Sequence, residues 1–450
     1  MPTDSAPEPG HDVGLLSPVT AGRDALVSDA AYLRALVQAE IALVKALGSV
    51  GLAPPATMDA VLTAIGKAEI DPAVLALEAV GDGNPVIPLV KRLRALVADV
   101  PGGAAWVHHG ATSQDIVDTA IAILAQQAIQ RIGQQLDRVV AALADRAERY
   151  RDLPAAGRTL TQHAVPTTVG ARFADWLVQV ADARQGLAGA VLPAQLGGAG
   201  GTLAALVEEF GAARTAKVAV AYAAAAKLPL AETPYHVRRD GITRLGDALV
   251  RVLDALGRIG TEIATLSRTE IGEIAEPTGG TSSAMPQKQN PVRSVLLRSA
   301  ALRGPGLAST LHLAAALTVD ERPDGAWHAE WPTLRELLRL GLGVSAIAAE
   351  LAEGLAVDEA AVARNLAAGG GTILAERVML VLAPKLGRDA VQAIVSEASE
   401  ERPLRSLLAE RASLGEAELD ALLDPGGYLG IAGALVDRAL ARARGGKETP

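Results

Sequence analysis

Residues 114–150 contain no proline and a single glycine, Gly133. Read as one helix, that stretch is about 55 Å long at 1.5 Å per residue. A rod of this length outruns any small single core and dictates a fold built of long helices lying side by side. Five further stretches have the same texture and are read as long helices: residues 167–191, 203–228, 241–268, 291–317 and 331–351, with a kink expected at Gly304–Pro305. Half of the residues are hydrophobic, but only 2% are aromatic, and Ala and Leu favour helix over strand. Helices apolar over such wide arcs need burial on several faces, so a bundle with subunit association is expected.

The flanks are punctuated differently. Residues 1–14 read as a flexible leader and the last residues, from Arg444, as a frayed tail. Near the N-terminus Leu33, Leu36, Val37, Ile41, Val44 and Leu47 recur at helical spacing, followed by short helices broken at Pro54–Pro55 and at the GDGNP turn (81–85). Beyond Val357 the helices shorten again, interrupted by glycines 369–371, Pro403 and Pro425. The expected organisation is a leader (1–14), an N-terminal helical domain (15–111), a central long-helix domain (112–355) and a C-terminal helical domain (356–450). No internal repeat and no strand–helix alternation is visible.

Several function classes drop out. A net charge of −9 argues against nucleic acid as the main partner, since phosphate binding needs a basic face. The absence of cysteine removes disulfides, thiolate zinc sites, iron–sulfur clusters and thiol catalysis. No HExxH spacing occurs, and neither His11 nor His312 is given a role; no metal and no cofactor are expected. The acidic, Pro-rich leader has no apolar h-region, and the uncharged stretch between Arg184 and Glu208 is broken by Pro193 and the pairs Gly197–Gly198 and Gly200–Gly201. A cytoplasmic location away from membranes is therefore expected. LGGAGGT (196–202) lacks the ending of a phosphate loop and reads as an interhelical turn. Arg238–Arg239 and the arginines of 438–444 read as solvated charge.

Three segments concentrate polar chemistry. HHGATSQD (108–115) gathers two imidazoles, two hydroxyls, an amide and a carboxylate at the start of the longest helix. Capping by Thr112 or Ser113, with Asp115 complementing the dipole, explains part of it; a helix N-terminus with spare hydroxyls is also an anion site. GRTLTQHAVPTTVG (157–170) places Arg158, Thr159, Gln162 and His163 in a polar loop ahead of Pro166, which is read as opening the next helix. GGTSSAMPQKQNP (279–291) has the form of a closing active-site loop, with glycine hinges, Ser282 and Ser283, then Lys288 and Asn290. A serine there becomes a base only if a cation such as Lys288 and loop amides stabilise its alkoxide.

GTSSAMPQKQNP resembles the signature loop of the fumarase/aspartase superfamily, G-S-S-x-M-P-x-K-x-N-P, departing only at Thr281. ATSQD and GRTLTQHAVPTTVG resemble that superfamily's first and second motifs, in the same order. The resemblance implies an all-α fold with a long central bundle and smaller helical domains on either side. It also implies a homotetramer with a twenty-helix core, each active site being shared among three subunits. By position it makes Ser282 the catalytic serine, Lys288 and Asn290 substrate-carboxylate and loop residues, and Thr112 and Ser113 a carboxylate-binding pair. His108 matches a histidine of adenylosuccinate lyases and Gln162 a substrate-binding amide. Arg158, Thr159, Met285 and Arg322 complete the substrate-binding set, and His163 is assigned to orienting substrate or assisting proton movement.

One departure bears on the reaction. Adenylosuccinate and argininosuccinate lyases read T-H-x-Q in the second motif, and that histidine is their usual general acid; here the position is Leu160. Amine expulsion normally needs such an acid, whereas a carboxylate leaves with little help. The substitution, and the run DERPDGAWHAEWPTLREL (320–337), resemble the muconate-cycloisomerase branch, which acts in aromatic catabolism. The reaction this implies is intramolecular addition of a carboxylate of a small tricarboxylate to an alkene. An adenylosuccinate- or argininosuccinate-type lyase releasing fumarate, and a non-catalytic scaffold relative, are the alternatives.

Overall fold

The computed structural model describes residues 13–280 and 284–445, and the leader up to residue 12 with His11, Ser282 and Ser283, and the tail from residue 446, lie outside the described residues. Helices dominate. Short ones come first: α1 (Asp29–Ser49), α2 (Pro55–Ile65), α3 (Pro72–Asp82) and α4 (Val86–Leu96). Ser28 starts α1 by accepting from the Ala31 N–H, and Asp71 starts α3 by accepting from Ala73. The 37-residue α5 (Ser113–Arg149) follows, matching the reading of 114–150 to within a residue at each end.

Next come two strands, β1 (Pro154–Thr159) and β2 (Gln162–Thr168), then α6 (Val169–Ala188), α7 (Ala204–Phe210), α8 (Ala212–Ala226) and α9 (Asp240–Leu266). The pair β3 (Ile274–Ala275) and β4 (Ala356–Val357) brackets α10 (Val292–Ala316) and α11 (Gly325–Gly354) in sequence. The C-terminal helices are α12 (Glu359–Ala367), α13 (Ala375–Leu386), α14 (Arg388–Glu397), α15 (Leu404–Arg411), α16 (Glu416–Leu422) and α17 (Ala432–Ala443). No single helix among the described residues is long and apolar enough to cross a membrane.

Three local expectations are corrected. The helix read over 203–228 is two, because Gly211 sits at φ +78 between α7 and α8, a conformation that ends one helix before the next begins. Helix α11 starts at Gly325, six residues before the predicted start, while α10 contains Pro305 within its run. The supposed polar loop at 157–170 is an antiparallel hairpin. Its polar residues look like a loop in sequence, but they pair across the two strands, and Pro166 is paired with Ala156 in β2 instead of opening a helix. Helix α6 starts at Val169, where the Thr168 hydroxyl accepts from the Ala171 N–H.

The chain divides into two compact units. The first takes the chain up to Gln134, then Gln185–Asp254 and Ala300–Ala346; the second takes Gln135–Arg184, Ala255–Ser299 and the chain from Ile347 onward. In the first, α1 packs on α8, and Leu36, Leu43 and Leu47 of α1 and Tyr222 of α8 are all closed to solvent. Gly246 lets α9 approach α10: a Cβ there would lie 2.6 Å from Leu311 Cδ1. In the second unit, Trp176 of α6 is fully buried, stacks edge-on with Phe173 at 5.2 Å and donates its indole N–H to Glu262 of α9 at 3.0 Å. A separate apolar cluster (Val378, Leu382, Val391, Leu404, Leu407, Leu419) ties α13 to α16.

One arginine read as solvated charge is the opposite. Arg239 is buried, donating to Glu330 at 2.6 Å and to Asp118 at 2.8 Å, while its neighbour Arg238 pairs with Asp240 on the surface. Asp118 also accepts from the Trp327 indole at 3.0 Å. Burial pushes the Glu330 carboxyl upward against the pull of Arg239. Breaking such a group by removing its cation leaves two buried carboxylates uncompensated. Arg239→Met is expected to lose about 3–5 kcal/mol, read as a lower urea midpoint at an unchanged slope.

Candidate active site

In the first unit the site is organised by a carboxylate. Asp115, fully buried in the first turn of α5, accepts four hydrogen bonds. They come from the Gly197 N–H at 2.8 Å, the Gly198 N–H at 2.9 Å, the Thr112 N–H at 3.0 Å and His236 Nε2 at 2.8 Å. The glycine segment is thus a turn, as read from its sequence, with its amides spent on Asp115. No side chain fits there: a Cβ on Gly197 would lie 2.8 Å from the His236 ring. Gln195 fixes the same segment, its backbone exchanging hydrogen bonds with the Thr119 hydroxyl and its side chain accepting from the Tyr235 N–H.

This anchoring corrects the simple capping picture. Asp115 closes the turn back onto Thr112, while the Thr112 hydroxyl accepts from Arg322 Nη1 at 2.6 Å. Arg322 also donates to the Ala199 carbonyl at 2.8 Å. Thr112, Ser113 and Arg322 are therefore brought together at the N-terminus of the longest helix, a cationic, hydroxyl-lined place suited to a carboxylate. His108 belongs to the same turn. Its backbone is left-handed (φ +62), its Nδ1 lies 2.7 Å from Glu40 Oε1, and its N–H donates to Glu40 Oε2 at 3.1 Å. His109 points elsewhere, to the Ala105 carbonyl and Glu209, against the Trp106 and Phe210 rings.

The second unit holds the other two segments. The hairpin β1–β2 pairs Arg158 with His163 and Thr159 with Gln162, leaving Leu160 and Thr161 as a two-residue tip. Both tip residues have positive φ (47° and 71°), the geometry of a type I′ turn that matches the twist of the strands. Leu160 is 96% exposed. The fully buried Glu273 collects Arg158 at 2.5 Å, Arg172 at 3.2 Å and the Asn365 amide at 2.9 Å. Arg158, assigned to substrate, is thus held by a protein carboxylate. Burial works to raise the Glu273 carboxyl, but the bonds from Arg158 and Asn365 and the two guanidinium charges outweigh it and hold it below the usual range. Partial burial and the Arg158 charge push the His163 imidazole down against the opposing Glu273, favouring its neutral form.

The signature loop leaves a pinned neck. Gly280 and Asn290 exchange backbone hydrogen bonds at 2.8 and 3.2 Å, and the Asn290 amide donates to the Gly280 carbonyl at 3.3 Å. Glu276 caps α10, accepting from the N–H groups of Arg293 and Ser294 and from the Ser294 hydroxyl. Asn290 is therefore a neck residue, while Met285 and Lys288 are exposed beyond the neck. Ser282 lies outside the described residues.

The comparisons with known proteins agree with these motifs. A family model described as lyase matches residues 25–306, and one described as adenylosuccinate lyase C-terminus matches residues 371–439. The chain belongs to the fumarase/aspartase superfamily. Among its superfamily relatives, nitrosuccinate lyase of Streptomyces davaonensis is 45% identical, over 95% of this chain and 94% of the relative. The 3-carboxy-cis,cis-muconate cycloisomerase of Pseudomonas aeruginosa is 42% identical over 93% of both chains. The crystal structure of the 3-carboxy-cis,cis-muconate lactonizing enzyme from Pseudomonas putida superposes with a TM-score of 0.85 at 38% identity, covering 93% of this chain and 95% of that one.

Sequence reading missed Glu40, Glu273, His236 and Asp118. Only Glu40 left a signal: it interrupts the apolar register of α1, four residues after Leu36 and three before Leu43. Glu273 yields a pH prediction. A carboxyl held low when folded contributes stability that is present above its unfolded value of 4.5 and lost as pH falls through the lower folded value. Glu273→Gln should therefore destabilise the protein at pH 7 and flatten the loss of melting temperature below pH 4.5, read by calorimetry across that range.

Proposed function

We propose that this superfamily member is a 3-carboxy-cis,cis-muconate cycloisomerase. The observation that carries the reading is the hairpin tip. Thr159, Leu160 and Thr161 offer no proton donor stronger than a hydroxyl at the position where related lyases carry an imidazole acid. Such a site suits a leaving group that departs as a stable anion. Lactone opening expels a carboxylate, and lactone closure is its reverse. The cycloisomerase relatives, in sequence and in structure, support the same reading.

In the forward direction one substrate carboxylate oxygen forms a bond to an alkene carbon. The alkene electrons move to the neighbouring carbon and into its carboxylate, and a proton from the Ser282 hydroxyl completes the product. The reverse removes that proton and breaks the carbon–oxygen bond. Charge accumulates on the substrate carboxylate, so fixed donors matter most. Thr112, Ser113 and Arg322 supply them at the α5 N-terminus, with Lys288 and Asn290 supplied by the signature loop. His163, neutral, orients substrate. Assembly of a homotetramer would let three subunits share each site.

A second reading has its own support in the 45% identity to nitrosuccinate lyase. Elimination from a nitrosuccinate expels nitrite, another stable anion, so the same tip chemistry serves it. Purified protein mixed with 3-carboxy-cis,cis-muconate, without added metal or nucleotide, is expected to bleach the conjugated-diene absorbance and yield a lactone. An unchanged spectrum with nitrite released from nitrosuccinate would transfer the assignment. Ser282→Ala should lower turnover by roughly 10²–10⁴-fold at an unchanged melting temperature; full activity in that variant would remove the serine from the mechanism.

A further inference from the structure

Glu40 is a carboxylate sealed inside the first unit, on a helix face otherwise made of apolar residues such as Leu36, Leu43, Val44 and Leu47. Both of its oxygens are used, and both by one residue 68 positions away: Oε1 by His108 Nδ1 and Oε2 by the His108 N–H. No arginine or lysine shares it in any ion pair among the described residues. Tyr222 faces it from α8, its hydroxyl pushed up by burial and by the nearby Asp115 and Glu40 charges. Arg94 of α4 is engaged with the Val107 carbonyl, one residue before His108.

We propose that Glu40 is a positioning residue of the active site, fixing the orientation and tautomer of His108 so that Nε2 is its free proton-accepting atom. A clamp serving the fold alone has no need of this chemistry. A buried charge is expensive unless its partner is fixed, and an apolar side chain at this register would pack into α1 without it. The two-point clamp instead does what an orienting carboxylate does for an imidazole. It accepts Nδ1–H and thereby places the lone pair on Nε2. It also holds the left-handed backbone of His108 in the turn that carries Thr112 and Ser113. When Nε2 takes up a proton from water, the Glu40 carboxylate lies behind the ring as the compensating charge, and the proton leaves from the same atom within the cycle.

The chemistry of glutamine makes the test specific. In Glu40→Gln one oxygen remains for two donors. The backbone N–H of His108 cannot change its role, so the oxygen stays with it and the amide NH₂ faces Nδ1. The ring proton must then move to Nε2, abolishing the free lone pair. Carbethoxylation by diethyl pyrocarbonate, mapped by peptide mass spectrometry, reads that lone pair. His312, exposed and paired with Asp247, is the internal reference. The rate at His108 relative to His312 is expected to fall several-fold in Glu40→Gln. Because the kinetic consequence rests on the cycloisomerase reading, turnover is measured alongside: kcat should fall about 10–100-fold while KM changes little. An unchanged rate ratio, or an unchanged kcat in an enzyme that does act on the muconate, overturns the proposal. If the wild type leaves the muconate untouched, that reading fails separately and the labelling ratio alone decides. If Glu40→Gln does not fold, His108→Asn takes its place: asparagine tolerates the left-handed backbone and offers Glu40 a donor, but has no Nε2. A fully active His108→Asn would likewise overturn the proposal.

Discussion

The buried Asp115 carboxylate is the interaction on which the start of α5 in the first unit depends. A buried carboxylate with four donors is stable only where every donor is fixed, and the donors here come from three places: the glycine turn, the Thr112 amide and the His236 ring. The Gly197 and Gly198 amides are available because no side chains crowd them, and His236 stands beside them on the chain leading into α9. In exchange, the Thr112 hydroxyl needs no capping role and is left to Arg322. The anion-binding character of the helix start therefore depends on a second carboxylate-binding event inside the protein. The glycine segment that could be mistaken for a ligand loop is a receptor for the protein's own aspartate.

The second unit repeats the principle with opposite emphasis. Glu273 gathers two guanidinium groups and an amide, so Arg158, two residues before the tip, is held by a protein carboxylate while the tip itself carries no charge. In each unit a buried acid sets the local geometry, and hydroxyls, cations or imidazoles stand around it. That division suits chemistry on an anionic substrate. Negative charge is spent internally, and the surfaces left to the ligand are positive or neutral.

Much of this was legible in the sequence because helices announce themselves locally. The long helix from Ser113 to Arg149 follows from the absence of proline, and the signature loop from its density of Gly, Ser, Lys and Asn. The hairpin was not legible as strand, because its polar residues mimic a loop and its two-residue tip uses leucine and threonine where glycine or asparagine would signal the turn. Arg239 looked solvated because Arg238 is; which of two adjacent arginines turns inward depends on Asp118 and Glu330, each about ninety or more positions away. The partners of Asp115 were hidden for the same reason. Only Glu40, a charge in an apolar register, could have been singled out beforehand.

The hairpin tip ties structure to reaction most directly, because it predicts which leaving groups the site can release. Steady-state rates measured across succinates and lactones whose leaving groups increase in basicity, from nitrite and carboxylate to amines, test this. Rates should fall steeply along the series, with no detectable fumarate from adenylosuccinate or argininosuccinate. Fumarate released from either amine adduct at a rate comparable to lactone opening would contradict a site without a leaving-group acid.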